Sequence, residues 1–305
     1  MPARRIGGQV VMYPRHTKGR FDGPFSFAGE GAPLQLPCGR CAGCRLERSR
    51  QWAVRCLHEA QMHKENCYIT LTYSDDNVPS DMSLHYEHFQ LFMKRLRKYF
   101  APARVRFYMC GEYGEEFQRP HFHAIIFGVD FSDRVFHSRT ASGFRIDTSA
   151  ILSKLWPYGF NTIGDVTFES AAYVARYVMK KMTGDIAEEH YKYVDPDTGE
   201  IYQRESEFCH MSLKPGIGAT WLEKYQDDVF PHGYVVARGV KMQPPKYYED
   251  RIEKLSAFGK EVIDEIKAAR AARGESRRSD ATDARLEVRR QVSVARMSLY
   301  SRKID

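Results

Sequence analysis

His121-Phe122-His123 opens the apolar run HFHAIIFG. Side chains alternate faces along an extended strand, so the two imidazoles share a face and Phe122 takes the other. Two imidazoles side by side can grip one divalent cation at roughly 2.0–2.2 Å. An H-x-H pair is unspecific by itself, and its meaning depends on what else reaches it. If residues 104–113 and 121–129 pair as a hairpin across the turn-like 114–120, Glu112 lies on the neighbouring strand, near both histidines. A carboxylate there completes a three-ligand site of mixed donors that accepts Mg²⁺, Mn²⁺ or Zn²⁺. Glu115 and Glu116, in the turn, are the alternative donors. Such a site suits Lewis-acid polarisation of a scissile phosphate, and Mg²⁺ or Mn²⁺ is the expected ion.

A nucleophile for that phosphate is spaced along AAYVARYVMKKM, which predicts a helix over Ala171 to Met182. Tyr173 and Tyr177 fall one turn apart on one face, and Lys180 continues it. A phenol with a pKa near 10 is a poor nucleophile unless a neighbouring cation or a charge-withdrawing metal assists it. Two tyrosines at helical spacing are most often packing residues; the H-x-H upstream is what gives this pair a chemical reading. Tyrosine attack keeps the phosphodiester energy in a phosphotyrosine bond, so the strand can be rejoined without ATP. A second tyrosine on the same face permits a second transfer while the first linkage persists.

Cys38, Cys41 and Cys44 form C-x₂-C-x₂-C, with Cys56 twelve residues on. Four thiolates could close a structural zinc site, although the spacing is not that of a standard finger. Unligated thiols, an iron–sulfur cluster or a disulfide stand beside that reading. Arg45, Arg48 and Arg55 form either a DNA clamp on this element or a solvated helix face. Lys94, Arg95, Arg97 and Lys98 could track a phosphate backbone, and Tyr73, Tyr108 and Phe122 could stack on bases, with core packing the commoner fate of such aromatics.

Several elements must position these residues. Leu46 to about His63 and His88 to Tyr99 read as amphipathic helices, and Tyr68 to Tyr73 as a strand. Ala150 to Trp156 reads as helix, Asn161 to Phe168 as strand, and the chain from about Ile252 onward as helical. Residues 1 to 37 read as irregular lead-in. Strands mixed with helices and joined by a hairpin favour an α+β core over a doubly wound sheet. Three regions are expected: a basic, Cys-rich element and helix at 1–65, a core at 66–183, and a C-terminal region at 184–305 that is mostly helical toward its end.

At 305 residues and 43% apolar content the chain can bury a sizeable core, and a net charge of +7 suits a polyanionic partner without proving one. No apolar run reaches transmembrane length and no secretory leader is read, so no membrane partner is expected. Seven cysteines is an odd number and three of them crowd into residues 38 to 44, which does not look like a secreted disulfide framework and argues a reducing cytoplasm. Lys214-Pro215-Gly216-Ile217-Gly218 lacks the G-x-x-x-x-G-K-S/T pattern, so no nucleotide cofactor is expected.

RPHFHAIIFG, with YITLTYSDDNVP upstream and YVARYVMKK downstream, resembles the three motifs of HUH-type rolling-circle replication initiators. PCGRCAGCRLERSRQWAVR, MSLKPGIGATWLEKY and PPKYYE are similar to the initiators of gokushovirus-like microviruses, so the likeness runs from about Pro37 to Asp250. The resemblance implies an antiparallel HUH endonuclease core flanked by helices. It implies His121 and His123 as metal ligands and Tyr173 and Tyr177 as nucleophiles. It also implies single-stranded nicking at a replication origin in the host bacterial cytoplasm, with a 5′-phosphotyrosine and a free 3′-OH. Host helicase or polymerase would be the protein partners. Arg176 departs from the lysine usual between the tyrosines and is left out of the catalytic set. The alternative is a non-catalytic, zinc-containing DNA-binding module that recruits replication proteins.

Overall fold

The computed structural model describes residues 3–6, 9–12, 42–114, 117–140, 142–176, 187–196, 198–276, 278–280 and 282–300. In chain order its elements begin with β1 (Ala3–Ile6), β2 (Gln9–Met12), α1 (Ala42–Ala60), β3 (Asn66–Tyr73), α2 (Tyr86–Tyr99), β4 (Arg106–Tyr113) and β5 (Pro120–Phe127). There follow β6 (Val135–Arg139), β7 (Arg145–Thr148), α3 (Ala150–Leu155), β8 (Gly159–Gly164), α4 (Phe168–Arg176) and α5 (Ala187–His190). The chain continues through β9 (Lys192–Val194), β10 (Ile201–Gln203), β11 (Phe208–Met211), α6 (Ala219–Val229), β12 (Val235–Ala237) and β13 (Val240–Met242). It ends with α7 (Lys246–Leu255), α8 (Ala257–Glu275) and α9 (Asp283–Tyr300).

Seven strands form one sheet in the order β11-β4-β5-β3-β8-β7-β6, antiparallel at every pairing. This is the α+β arrangement the sequence called for. Alternation along the strands divides the molecule. Cys67, Ile69, Leu71 and Tyr73 of β3, with Phe122, Ala124 and Ile126 of β5, bury against Phe89, Phe92, Met93 and Leu96 of α2 and against α3. The opposite face carries Tyr108 and Cys110 of β4 and Ile125 and Phe127 of β5, covered by α1 and α4. Because Phe122 joins the first core, His121 and His123 face the second.

That division decides several open readings and moves some boundaries. Tyr73, Tyr108 and Phe122 are fully buried, so none is placed to stack on a base. The basic set Lys94, Arg95, Arg97 and Lys98 rides on α2, across the sheet from the histidines, where Arg95 Nε donates to the Leu155 carbonyl (2.8 Å). Residues 3–6 and 9–12 pair antiparallel within the stretch read as irregular lead-in, and the Gly7-Gly8 dipeptide between them is a hairpin signal. The strand expected over Asn161 to Phe168 runs instead from Gly159 to Gly164, and Phe168 begins α4.

Cys56 leaves the four-thiolate zinc set. It lies on the same helix as Cys44, twelve residues away, which at 1.5 Å per residue is about 18 Å. One ion cannot bridge that gap at Zn–S distances near 2.3 Å. Cys56 is instead fully buried in the second core, where burial raises its thiol pKa and disfavours the thiolate. Cys38 and Cys41 lie outside the described residues.

A third core joins Val54 of α1 to Trp221, Leu222, Tyr248, Ile252, Ile263 and Ile266 of the C-terminal helices. Its junction explains KPGIG. Glu59 takes the Arg106 Nε (2.5 Å) with one carboxylate oxygen and the Gly218 N–H (2.7 Å) with the other, while an Arg106 guanidinium nitrogen donates to the Pro215 carbonyl (2.7 Å). Gly218 adopts φ +77°, and a Cβ there would stand 2.5 Å from the Tyr248 hydroxyl. Arg55 donates to the Ile217 carbonyl (3.0 Å) with its guanidinium 4.0 Å from the Trp52 ring centroid and 3.9 Å from that of Tyr247. It is a packing residue at this junction.

Candidate active site

Glu112 stands directly opposite His121 in the β4–β5 register, and His123 opposite Cys110. One Glu112 oxygen lies 2.7 Å from His121 Nε2 and 2.9 Å from His123 Nε2. Ligand atoms of the three residues all fall within 4.8 Å of one another, and among the described residues this group could hold a metal ion. Glu112 and His123 are buried, and His121 is partly open to solvent. Burial alone would raise the Glu112 pKa, but the hydrogen bonds with His121 and His123 outweigh it and hold the carboxyl at about 2. Glu112 is therefore an anion at neutral pH.

The far sides of the imidazoles are also engaged. His121 Nδ1 donates to the Arg119 carbonyl (3.1 Å). A carbonyl on one side and a carboxylate on the other are both acceptors only, so the ring either carries two protons or lends the Nε2 lone pair to a cation. His123 Nδ1 meets the Tyr68 hydroxyl at 2.7 Å and the Thr70 hydroxyl at 2.9 Å. Either hydroxyl can accept the ring proton and leave Nε2 as donor to an ion, the outer-shell arrangement that orients metal-bound histidines. One carboxylate and two imidazoles with steadied outer nitrogens fit a divalent ion.

Tyr173 is carried to this site by α4. At the start of that helix Thr167 N donates to Ser170 Oγ (2.8 Å) and Ser170 N to Thr167 Oγ1 (3.1 Å), a reciprocal arrangement akin to a capping box. Ala171, Val174 and Ala175 bury against the sheet and α1, where Ser49 Oγ donates to the Ala172 carbonyl (3.3 Å). The small alanines let α4 lie close, and Tyr173 projects toward the triad. Its ring is edge-on to His123 with centroids 5.1 Å apart, and edge-on to Tyr68 at 6.4 Å.

Thus His121, His123, Glu112 and Tyr173 come together. Tyr177, Lys180, Glu115 and Glu116 lie outside the described residues. Tyr68 and Thr70 were missed as site residues. The signal was present: in YITLTY the hydroxyl-bearing residues alternate with the apolar ones, which puts Tyr68, Thr70 and Thr72 on the histidine face. Burial pushes the Tyr68 phenol well above its ordinary range, so it stays protonated beside His123.

Comparisons with known proteins place the chain in a family. The profile of the family described as replication-associated protein ORF2/G2P matches residues 66–182. The chain is 36% identical over 233 residues to the replication-associated protein VP4 of Bdellovibrio phage phiMH2K, covering 74% of this chain and 70% of that one. It is 32% identical over 231 residues to the replication-associated protein ORF2 of Spiroplasma virus 4, covering 72% and 68%. Replication-associated protein ORF4 of Chlamydia phage 1 is 30% identical over 227 residues, covering 72% and 54%. No solved structure is significantly similar to the chain. The chain belongs to the replication-associated protein family of these phages, in keeping with the motif resemblance.

Proposed function

We propose that this chain is a metal-dependent HUH endonuclease and DNA strand transferase that starts and ends rolling-circle replication of a small phage DNA. The observation that carries the reading is the Tyr173 ring beside His123 of the Glu112–His121–His123 group, in a chain whose relatives are replication-associated proteins. The family resemblance adds Tyr177 as the second nucleophile and Lys180 as the cation on its face.

The chain's own residues divide the work. Glu112, His121 and His123 hold the divalent ion, Mg²⁺ or Mn²⁺, whose chemistry when bound is to withdraw charge from a phosphate oxygen. Tyr68 and Thr70 fix the His123 ring, and the Arg119 carbonyl fixes His121. The phenolic oxygen of Tyr173 or Tyr177 attacks phosphorus while the bond to the 3′-oxygen breaks. The phenol loses its proton and the departing 3′-oxygen gains one. The products are a 5′-phosphotyrosine and a 3′-OH that primes synthesis; reversal by a second 3′-OH rejoins the strand. Single-stranded origin DNA is the substrate, host helicase or polymerase the protein partner, and the host bacterial cytoplasm the setting. No described helix is long and apolar enough to cross a membrane.

The test is incubation with Mn²⁺ or Mg²⁺ and single-stranded DNA carrying the phage origin, followed by denaturing electrophoresis. A protein–DNA adduct is expected, and it should vanish when Tyr173 and Tyr177 are both changed to Phe. An adduct at full yield from that double variant would overturn the mechanism.

A further inference from the structure

Beside the triad the second face of the sheet is left open. Thr162 and Gly164 of β8 and Arg145 of β7 line a pocket that Tyr68 and Tyr173 wall on the triad side and Phe144 helps close. The pocket therefore shares Tyr68, Thr70 and Tyr173 with the candidate active site. Its surfaces combine aromatic faces with the hydroxyls of Thr70, Thr140 and Thr162, and Asp165 and Glu169 also line it. Arg145 borders the pocket with its backbone carbonyl, while its side chain, Nε on Asp147 at 2.6 Å, lies on the other face of the sheet, where Asp147 pairs with Ile163 of the first core.

Gly164 is the informative residue. Its φ is not in the left-handed region, and a Cβ added there would meet only Tyr68 Cδ1 at 3.4 Å and the Arg145 carbonyl at 3.7 Å, ordinary contacts. Neither backbone conformation nor packing asks for glycine, which in a strand costs stability relative to a residue with a side chain. What a larger side chain would do is fill the pocket. Close approach by a ligand is one of the settings in which strands carry glycine, and the open pocket at Gly164 fits it. The ligand such walls suit is flat, stacks on aromatic rings and bears polar atoms on its edge, which describes a nucleobase turned out of its stack.

We infer that this pocket takes one unstacked base of the DNA strand bound at the triad, and reads its edge through Thr162. The inference rests on the DNA-binding part of the proposed function and not on nicking. A strand held this way has its backbone anchored within one wall's thickness of Tyr173.

The experiment is fluorescence anisotropy of the full chain with labelled dA12, dC12 and dT12, without divalent ions. Wild type should prefer one strand by roughly fivefold or more, the low end of a base–aromatic contact. Gly164→Val should bring the three affinities within about twofold by weakening the preferred strand, while Gly164→Ala keeps the preference. Phe144→Ala, at a partly exposed position, should weaken the preferred strand by about fivefold and serves if the valine variant melts early. Binding with no preference in wild type overturns the pocket alone. So does a preference that survives in a Gly164→Val protein melting like wild type, or in Phe144→Ala. Failure to bind any strand overturns both this inference and the DNA-binding reading, and an absent adduct with preference intact overturns only the nicking.

Discussion

The ring of Tyr173 stands at 87° to that of His123 with centroids 5.1 Å apart, so a phenol from the helical layer meets an imidazole of the sheet. The contact is made by ring edges and faces, which Phe reproduces. Tyr173→Phe should leave stability within about 0.5 kcal/mol of wild type, as for a substitution that keeps shape and loses only a hydroxyl. Adduct formation should fall sharply or shift wholly to Tyr177, read by mapping the DNA-linked peptide. Undiminished linkage at position 173's peptide after the change would be impossible under the mechanism, and detecting it would end the proposal.

Glu112→Gln preserves the volume at the centre of the triad and removes its anion. The two imidazoles remain, with an amide where a carboxylate oxygen served both. Mn²⁺ affinity, measured by calorimetry on the full chain, should drop by more than about tenfold, since even outer-shell losses at metal sites cost that much. Equal affinity in the variant would show that the ion, if bound, sits elsewhere.

How much of this was legible in the sequence follows from what each residue depends on. Period-two alternation fixes which face His121, Phe122 and His123 take, and a hairpin across 114–120 brings Glu112 near them, but the choice of Glu112 over Glu115 and Glu116 depends on the register that sets it opposite His121. The same alternation held Tyr68 and Thr70, but a hydroxyl's partner is set by the neighbouring strand, and β3 meets β5 only through non-local pairing. The β6–β7 hairpin was passed over because VFHSR and RIDT form the outer edge of the sheet, where β6 is mostly exposed and carries little apolar signal. Cys56 was misjudged because spacing along the chain says nothing about a helix that keeps two cysteines about 18 Å apart. The glycines of KPGIG were recognisable as a motif, while their cause, the phenols of Tyr247 and Tyr248 pressing on Gly216 and Gly218, lies in the fold alone.

Glu59 is the next residue whose loss should be felt, and in stability. It is almost fully buried and accepts from Arg106 and Gly218, bonds that together with those to His63 hold its carboxyl below the ordinary range against the opposing effect of burial. Glu59→Gln leaves the buried Arg106 guanidinium without its counter-charge. Removing one partner of such a pair costs about 3 to 5 kcal/mol. Urea denaturation should show a loss of that order, whereas Glu47→Gln, at an exposed i,i+3 pair with Arg50, should change stability by less than about 1 kcal/mol. Similar small losses for both would mean the α1–KPGIG junction contributes little.

His58 makes the stability of that same junction depend on pH. Its ring stacks on Trp221 with centroids 3.5 Å apart, and its Nδ1 lies 2.9 Å from the Tyr248 hydroxyl. Burial lowers its pKa from 6.5 to about 3, so the folded protein keeps the ring neutral. The unfolded chain takes up a proton below about 6.5 that the folded chain refuses. The stability His58 contributes is therefore complete above that pH and is lost on acidification toward pH 3, at up to about 1.4 kcal/mol per pH unit. Carboxylates elsewhere titrate in the lower part of this range, so the comparison is with His58→Phe, which keeps a ring against Trp221 and titrates nowhere. The difference in unfolding free energy between the two proteins should be constant from pH 8 to about 7 and then move in favour of the Phe variant at pH 6, 5 and 4. Parallel curves across the whole interval would place His58 in a setting that tolerates its charge, and the close Trp221 stack would have to open to allow it.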